Sequence, residues 1–309
     1  MELDHEVIVI GGGAAGLSAA VALARSRRSV LVIDAGEPRN APAEGVHNFL
    51  SRDGIAPRDL TAAGRVEVRH YGGEVRDGQA TTAERIDGGF AVAFSDGSRV
   101  TARRLVVTTG VVDELPEIDG LREHWGRGVL HCPYCHGWEV RDQPIAVIAT
   151  SPASVHQALL FSQLTDEITL VAHSFEPDAE AHSLLAGAGV TVLDASVQRV
   201  EVEGDAIHGL RLDDGSLLSA SAVVVSPRSV AHGSLLTSLG IETVPHPSGF
   251  GDYVEVDPLG QSAVPGVYLA GNVTDLTAQV MGAAAAGTRA GAAVNIDLVT
   301  TDAREKVVA

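Results

Sequence analysis

The sequence predicts an α/β fold of two three-layer domains, the second inserted into the first. Three observations predict it. The chain opens on a strand, a glycine-rich turn and a helix; a second strand–helix–strand pattern starts at Ile145; and a last strand and small-residue helix return near the C-terminus. The strands are apolar at consecutive rather than alternate positions, as in parallel sheets covered on both faces. Both domains therefore read as dinucleotide-binding, Rossmann-like units. The expected boundaries are 1–113 with 230–309 for the first domain and 114–229 for the second.

Glu6-Val7-Ile8-Val9-Ile10 is the first strand and feeds Gly11-Gly12-Gly13-Ala14-Ala15-Gly16. A helix runs from Leu17 to Ala24, and a second strand, Val30-Leu31-Val32-Ile33, ends at Asp34. Gly11 permits the tight turn, Gly13 lets the backbone approach a pyrophosphate, and Gly16 lets the helix pack closely on the strand. Asp34 lies 18 residues past Gly16, where a carboxylate accepts bonds from a ribose diol. A lone glycine fingerprint is weak evidence, but here strand, helix, second strand and terminal acid are all in place.

Residues 65–109 read as short β segments: Val66-Glu67-Val68, Phe90-Ala91-Val92-Ala93-Phe94 and Arg104-Leu105-Val106-Val107. Turns such as Asp87-Gly88-Gly89 separate them, and Thr108-Thr109-Gly110 closes the block. In the second domain, Ile145–Ile148 and Ile168–Val171 are strands around a helix from Ser154 to Leu164, and Val190–Leu193 is a further strand. Hairpin-like pieces at Val200–Val202 and Gly209–Leu212 precede the strand Ala222–Val225. The tail has a strand, Gly266–Ala270, then Gly271-Asn272, then a helix from Thr277 to Asp297.

An apolar fraction of 45% over 309 residues supports a sizeable core. Lys+Arg 22 against Asp+Glu 40 gives a net charge of −18, which argues against nucleic acid and anionic membranes as partners. No apolar run reaches the ~18 residues needed to span a bilayer. The start, Met1-Glu2-Leu3-Asp4-His5, lacks the basic stretch of a signal peptide, so the expected compartment is cytoplasmic.

Both cysteines fall in His131-Cys132-Pro133-Tyr134-Cys135-His136-Gly137. In a reducing compartment a structural disulfide is disfavoured, so the Cys132/Cys135 pair reads as a redox dithiol. Zinc is the rival use, with His131 and His136 completing a ligand set on paper. Four ligands within six residues strain a tetrahedron, however, and no second Cys-x-x-Cys exists, so no metal is expected. His136 is the candidate base, because an imidazole titrates near working pH. His131 ranks behind it. Tyr134 and Trp138 are candidates for an apolar wall beside a small substrate. A helix opening at the dithiol would favour a thiolate there.

The order of the N-terminal fingerprint, Thr108-Thr109-Gly110, the Cys-x-x-Cys, the second βαβ unit and the late Gly271-Asn272 resembles the low-molecular-weight thioredoxin reductase class of FAD-dependent pyridine nucleotide–disulfide oxidoreductases. The resemblance covers essentially the whole chain. Cys-Pro-Tyr-Cys-His-Gly is more similar to thioredoxin reductase-like dithiol oxidases of natural-product pathways, such as those closing the disulfides of gliotoxin and holomycin. Thioredoxin reductases usually carry an Asp directly after the second Cys, where this chain has His136. The resemblance implies FAD as cofactor, a thioredoxin reductase-like fold and a homodimer. It implies that Cys132 attacks the substrate while Cys135 lies against the flavin C4a. It implies cofactor-binding positions at Gly11, Gly13, Ala14, Ala15, Gly16, Asp34, Ala35, Arg39, Asn40, His47, Asn48, Val75, Thr109, Gly110, Gly271, Asn272, Gln279 and Val280. Arg39 is a candidate counter-charge for the pyrophosphate, and His47 and Asn48 are candidates to border the flavin.

The departures point to a lost nicotinamide site. The family's second glycine fingerprint is here Ala149-Thr150-Ser151-Pro152-Ala153-Ser154, without a glycine. A Cβ at the close-approach position pushes the backbone from a pyrophosphate, and Pro152 removes an N–H donor. The family's His-Arg-Arg grip on a 2′-phosphate is replaced by His173-Ser174-Phe175, and no Lys or Arg stands between Arg141 and Arg199. Glu176 remains a candidate for the ribose of NAD. Family members usually have Gly-Asp at Gly271-Asn272, and an Asn oxygen still accepts a bond from a ribityl chain. The expected function is a FAD-dependent dithiol oxidase acting on a small-molecule dithiol with O2. The alternative is an NAD(P)H-dependent reductase of thioredoxin or a small disulfide, and a third is a flavin-bearing protein without turnover.

Overall fold

A computed structural model describes residues 3–231 and 233–308. The chain divides into two compact units: Met1–Ala41, Phe49–Val112 and Ser229–Ala309 form one, and Pro42–Asn48 with Asp113–Arg228 form the other. The sequence reading leaves Pro42–Asn48 with the first domain, yet its contacts lie with the second.

In the first unit, the strands Glu74–Asp77, Val30–Asp34, His5–Ile10 and Arg99–Val107 lie side by side, all parallel. On its far side Arg99–Val107 pairs twice. Its first half takes the antiparallel strand Gly89–Phe94, and its second half takes the parallel strand Val267–Leu269. The sheet is buried on both faces. Val7 and Val9 meet the helix Ala14–Arg25 and the C-terminal helix Val280–Val308, while Ile8 and Ile10 join Phe90, Leu235 and Val254. The two helices pack closely because their facing residues are small. A Cβ on Gly287 would stand 1.9 Å from the Ala15 carbonyl oxygen.

The second unit has a five-stranded parallel sheet in the order Thr191–Leu193, Ile168–Val171, Ile145–Ile148, Ala222–Val225, Val129–Leu130. Successive residues of Ile145–Ile148 alternate between two cores. Ile145 and Val147 face the helices Ala153–Phe161 and Ala179–Gly187; Ala146 and Ile148 face the antiparallel strands Val197–Glu203 and Ala206–Leu212.

One segment overturns the sequence reading. Val66-Glu67-Val68 lies inside a helix, Pro57–His70, not in a strand. Pro57 opens that helix, Asp59 sits in its first turn and Arg69 and His70 in its last, all favourable placements. Val68 is buried whereas Val66 is exposed, as a helical face requires and a strand does not. The C-terminal helix also runs on past Asp297 to Val308. Among the described residues no helix is long and apolar enough to cross a membrane.

Candidate functional site

The glycine fingerprint sits at the carboxyl ends of the parallel strands of the first unit. Gly11 takes φ +110, and a Cβ there would stand 2.4 Å from the Thr108 carbonyl oxygen. A Cβ on Gly16 would stand 1.9 Å from the Gly11 carbonyl oxygen, so the turn closes only without one. Gly13 differs, because a Cβ there meets nothing within 4 Å. The helix Ala14–Arg25 starts at that open point with no side-chain cap and no acid in its first turn. Its first amides, Ala14 and Ala15 among them, are thus available to an anion. Thr109 Oγ1 is buried without a hydrogen-bond partner, next to Gly110 at φ +68. An open glycine, uncapped amides and an orphaned hydroxyl at one sheet edge fit the pyrophosphate-bearing end of FAD.

Asp34 is held in place by the backbone. Its Oδ1 accepts from the Gly12 and Gly36 amides at 3.3 and 3.1 Å. Its Oδ2 accepts from Arg65, whose guanidinium also reaches Asp77 at 2.7 Å. Sequence reasoning missed Arg65 because it misread the helix that carries it. Ala35 follows at the strand end, and Val75 pairs with Val32 one strand over. Arg39 reaches Ser229 Oγ at 3.4 Å, and Asn40 sits in the same turn. Gly271, at φ +84, packs its Cα side on Ala15. Asn272 gives its NH2 group to the Asp275 and Ala278 carbonyls at 3.1 and 2.9 Å, which orients its oxygen as an acceptor. Gln279 leads into the C-terminal helix at Val280, its carbonyl accepting from the Ala283 amide at 2.9 Å.

In the second unit, Cys132 caps a single helical turn, Pro133–His136. The Cys135 and His136 amides both donate to the Cys132 carbonyl at 3.2 Å, which folds the two cysteines together. Both are part-buried. One turn is too short for the macrodipole effect the sequence suggested. Gly137 closes the turn, since a Cβ there would stand 2.4 Å from Leu164 and from the Pro133 carbonyl oxygen. His136 Nε2 is buried with no hydrogen-bond partner. Burial pushes its pKa below the usual histidine value, against Glu139 and Glu44 and together with His47. His131 stacks on Trp125 with ring centroids 5.4 Å apart, and Gln157 Nε2 donates to the His131 carbonyl at 2.8 Å. Tyr134 and Trp138 are 59% and 65% exposed, too open for core packing.

His47 and Asn48 come to this turn. Asn48 Nδ2 donates to the Tyr134 carbonyl at 2.6 Å, and His47 Nε2 lies 3.4 Å from Glu139 Oε1. Glu139, Glu44 and Gln157 escaped the sequence reading. Glu139 lies three residues past His136, in the turn that follows the helix.

The loop expected to have lost its nicotinamide is closed by its own side chain. Ser154 is fully buried; its Oγ accepts from the Thr150 amide at 3.2 Å and donates to the Ile148 carbonyl at 3.4 Å. The Ser154 and Val155 amides turn back onto Ser151 and Pro152 carbonyls at 3.0 and 3.2 Å. Amides that would cradle a pyrophosphate are thus partly used within the loop. His173 is committed too, its Nδ1 accepting from the Val197 amide at 3.0 Å.

The family described as pyridine nucleotide-disulphide oxidoreductase matches residues 5–291. A protein named thioredoxin reductase sirT, from Leptosphaeria maculans, is 30% identical over 98% of this chain and 97% of its own. Among solved structures, HlmI is 43% identical with a TM-score of 0.91, covering 98% of this chain and 95% of its own. A putative thioredoxin reductase, TrxB from Bacillus anthracis, is 26% identical with a TM-score of 0.89, covering 96% and 99%.

Proposed function

The chain belongs to the pyridine nucleotide-disulphide oxidoreductase family and is a FAD-dependent oxidoreductase of thioredoxin reductase-like fold; from that premise we propose that it is a dithiol oxidase, closing a disulfide in a small molecule with O2 as electron acceptor. One observation carries the choice of direction. The Ala149–Ser154 loop is filled by the Ser154 side chain, and no Lys or Arg stands between Arg141 and Arg199 to meet a nucleotide phosphate. A reductase needs NAD(P)H there, whereas an oxidase does not.

Substrate thiolate attacks Cys132 of the enzyme disulfide, and Cys135 leaves as thiolate. The second substrate thiol then displaces Cys132, so the substrate gains a disulfide and the enzyme holds a dithiol. FAD, once bound, would supply the two-electron acceptor that restores the enzyme disulfide, with O2 as the final acceptor. Gly11, Gly13, Gly16, Asp34, Thr109 and Asn272 would hold it. Burial keeps His136 neutral near neutral pH, so its Nε2 can take a thiol proton. Tyr134 and Trp138 offer an exposed apolar wall to a small dithiol.

The test is anaerobic mixing of the yellow holoprotein with NADPH, NADH or dithiothreitol. Bleaching by dithiothreitol alone, with colour returning in air, is the expected result. Rapid bleaching by either nicotinamide would establish the thioredoxin or disulfide reductase reading instead.

A further inference from the structure

Asp34 ends its strand beside a second carboxylate. Asp34 and Asp77 are partners on neighbouring parallel strands, and the Gly78 amide donates to the Asp34 carbonyl at 2.9 Å. Two like charges side by side repel. Arg65 joins them: its guanidinium donates to Asp34 Oδ2 and, at 2.7 Å, to Asp77 Oδ1. The helix Pro57–His70 reaches this sheet edge because the residue before Arg65 is Gly64, where a Cβ would stand 2.8 Å from Leu17 Cδ1. The Arg65 and Asp34 side chains are only 20% and 13% exposed, so water and salt screen the pair weakly.

A carboxylate offers about four acceptor places, two on each oxygen. On Asp34 Oδ1 both are taken, by the Gly12 and Gly36 amides. On Oδ2 one is taken by Arg65. Gly12 also covers one side of the group, since a Cβ there would stand 2.3 Å from the carboxyl carbon. One place remains, whereas a ribose diol brings two hydroxyls.

Taking Asp34 as the ribose-holding residue of the FAD site described above, we propose that Arg65 is a positioning residue that leaves Asp34 a single acceptor place, so that the carboxylate binds one hydroxyl of the adenosine ribose and not the pair. The glycine fingerprint with its terminal acid implies both. Arg65 cannot drift from this post without giving up two carboxylates at once, because Asp77 holds it from the solvent side. An adenosine lacking the hydroxyl that Asp34 does not bind is therefore accepted as well as the complete one.

The experiment titrates the flavin-stripped chain with FAD and with its 2′-deoxyadenosine and 3′-deoxyadenosine analogues, read by quenching of flavin fluorescence. In wild type one analogue is expected to bind about tenfold more weakly than FAD and the other to stay within about twofold of it. In Arg65→Met the second place opens, and both analogues are expected to bind about tenfold more weakly than FAD. Arg65→Lys, which still carries a donor for Asp34, should restore the wild-type asymmetry; a residue that only braced the helix would move all three ligands together. Equal losses or no loss for the two analogues in wild type, or an asymmetry that survives in Arg65→Met, would overturn the proposal. Arg65→Ala repeats the test should Arg65→Met lose its fold. Asp34→Asn checks the premise separately and should weaken FAD about tenfold. Unchanged FAD affinity in that variant would remove the ribose seat, and this proposal with it, while leaving the dithiol chemistry untouched.

Discussion

Cys135 and His136 are adjacent on one turn, yet their substitution should fail differently. Cys135→Ser removes the sulfur proposed to face the flavin. Flavin reduction by dithiols should slow by at least about a thousandfold, read by anaerobic stopped flow, while yellow FAD stays bound. His136→Gln leaves the sulfurs and removes the proton acceptor. Its signature lies in pH. Burial disfavours the imidazolium in the folded chain, so the folded pKa lies below the unfolded one. The contribution of His136 to stability is full above the unfolded value of about 6.5 and is lost as pH falls through the folded value. Urea midpoints at pH 8 and pH 5 should therefore separate more in wild type than in His136→Gln. Equal separation in both would show that His136 is not the group so strained.

At the scale of the element, the fingerprint turn divides its glycines into two kinds. A Cβ on Gly16 would collide with the backbone of its own turn, whereas one on Gly13 enters open space. Gly16→Ala should thus lower the melting temperature of the apoprotein. Gly13→Val should leave that temperature in place and weaken FAD about tenfold or more in a reconstitution titration, a loss of about 1.4 kcal/mol. How much of this was legible in the sequence depended on what holds each element. Ile145–Ile148, Ile168–Val171 and Ala222–Val225 fall where the sequence places them, because a parallel strand buried on both faces is a near-continuous apolar run. Val66-Glu67-Val68 misled, because three residues cannot tell a strand from the seam of an amphipathic helix. The fingerprint was legible since its chemistry is local. The bond from Asn48 to Tyr134 was not, because nothing in either segment announces a partner 86 residues away. Ser154 was legible only as a missing glycine; that its hydroxyl would fill the gap needed coordinates. Ser154→Ala should leave the part-buried Thr150 amide without its partner and cost about 1 kcal/mol in urea unfolding. It should not change flavin reduction by dithiols, and a change would mean that this loop serves the dithiol after all.

At the scale of the whole molecule, the charge of −18 acts on whatever approaches. Near the dithiol the carboxylates Glu44 and Glu139 share the sign of the rest. A potential summed over so many charges reaches past contact distance in dilute salt and fades within about 8 Å at physiological ionic strength. Two dithiols that differ only in one remote charge isolate this effect. Dihydrolipoamide is neutral and dihydrolipoate is an anion, while the reacting sulfurs are the same. The neutral compound should reduce the flavin at least about threefold faster in dilute buffer, and the ratio should shrink towards one in half-molar salt. The salt dependence should sit in the second-order rate and not in the limiting rate, because repulsion slows encounter rather than exchange between sulfurs. A ratio that ignores salt would place discrimination in direct contacts at the dithiol turn, with Tyr134 and Trp138 the first side chains to substitute.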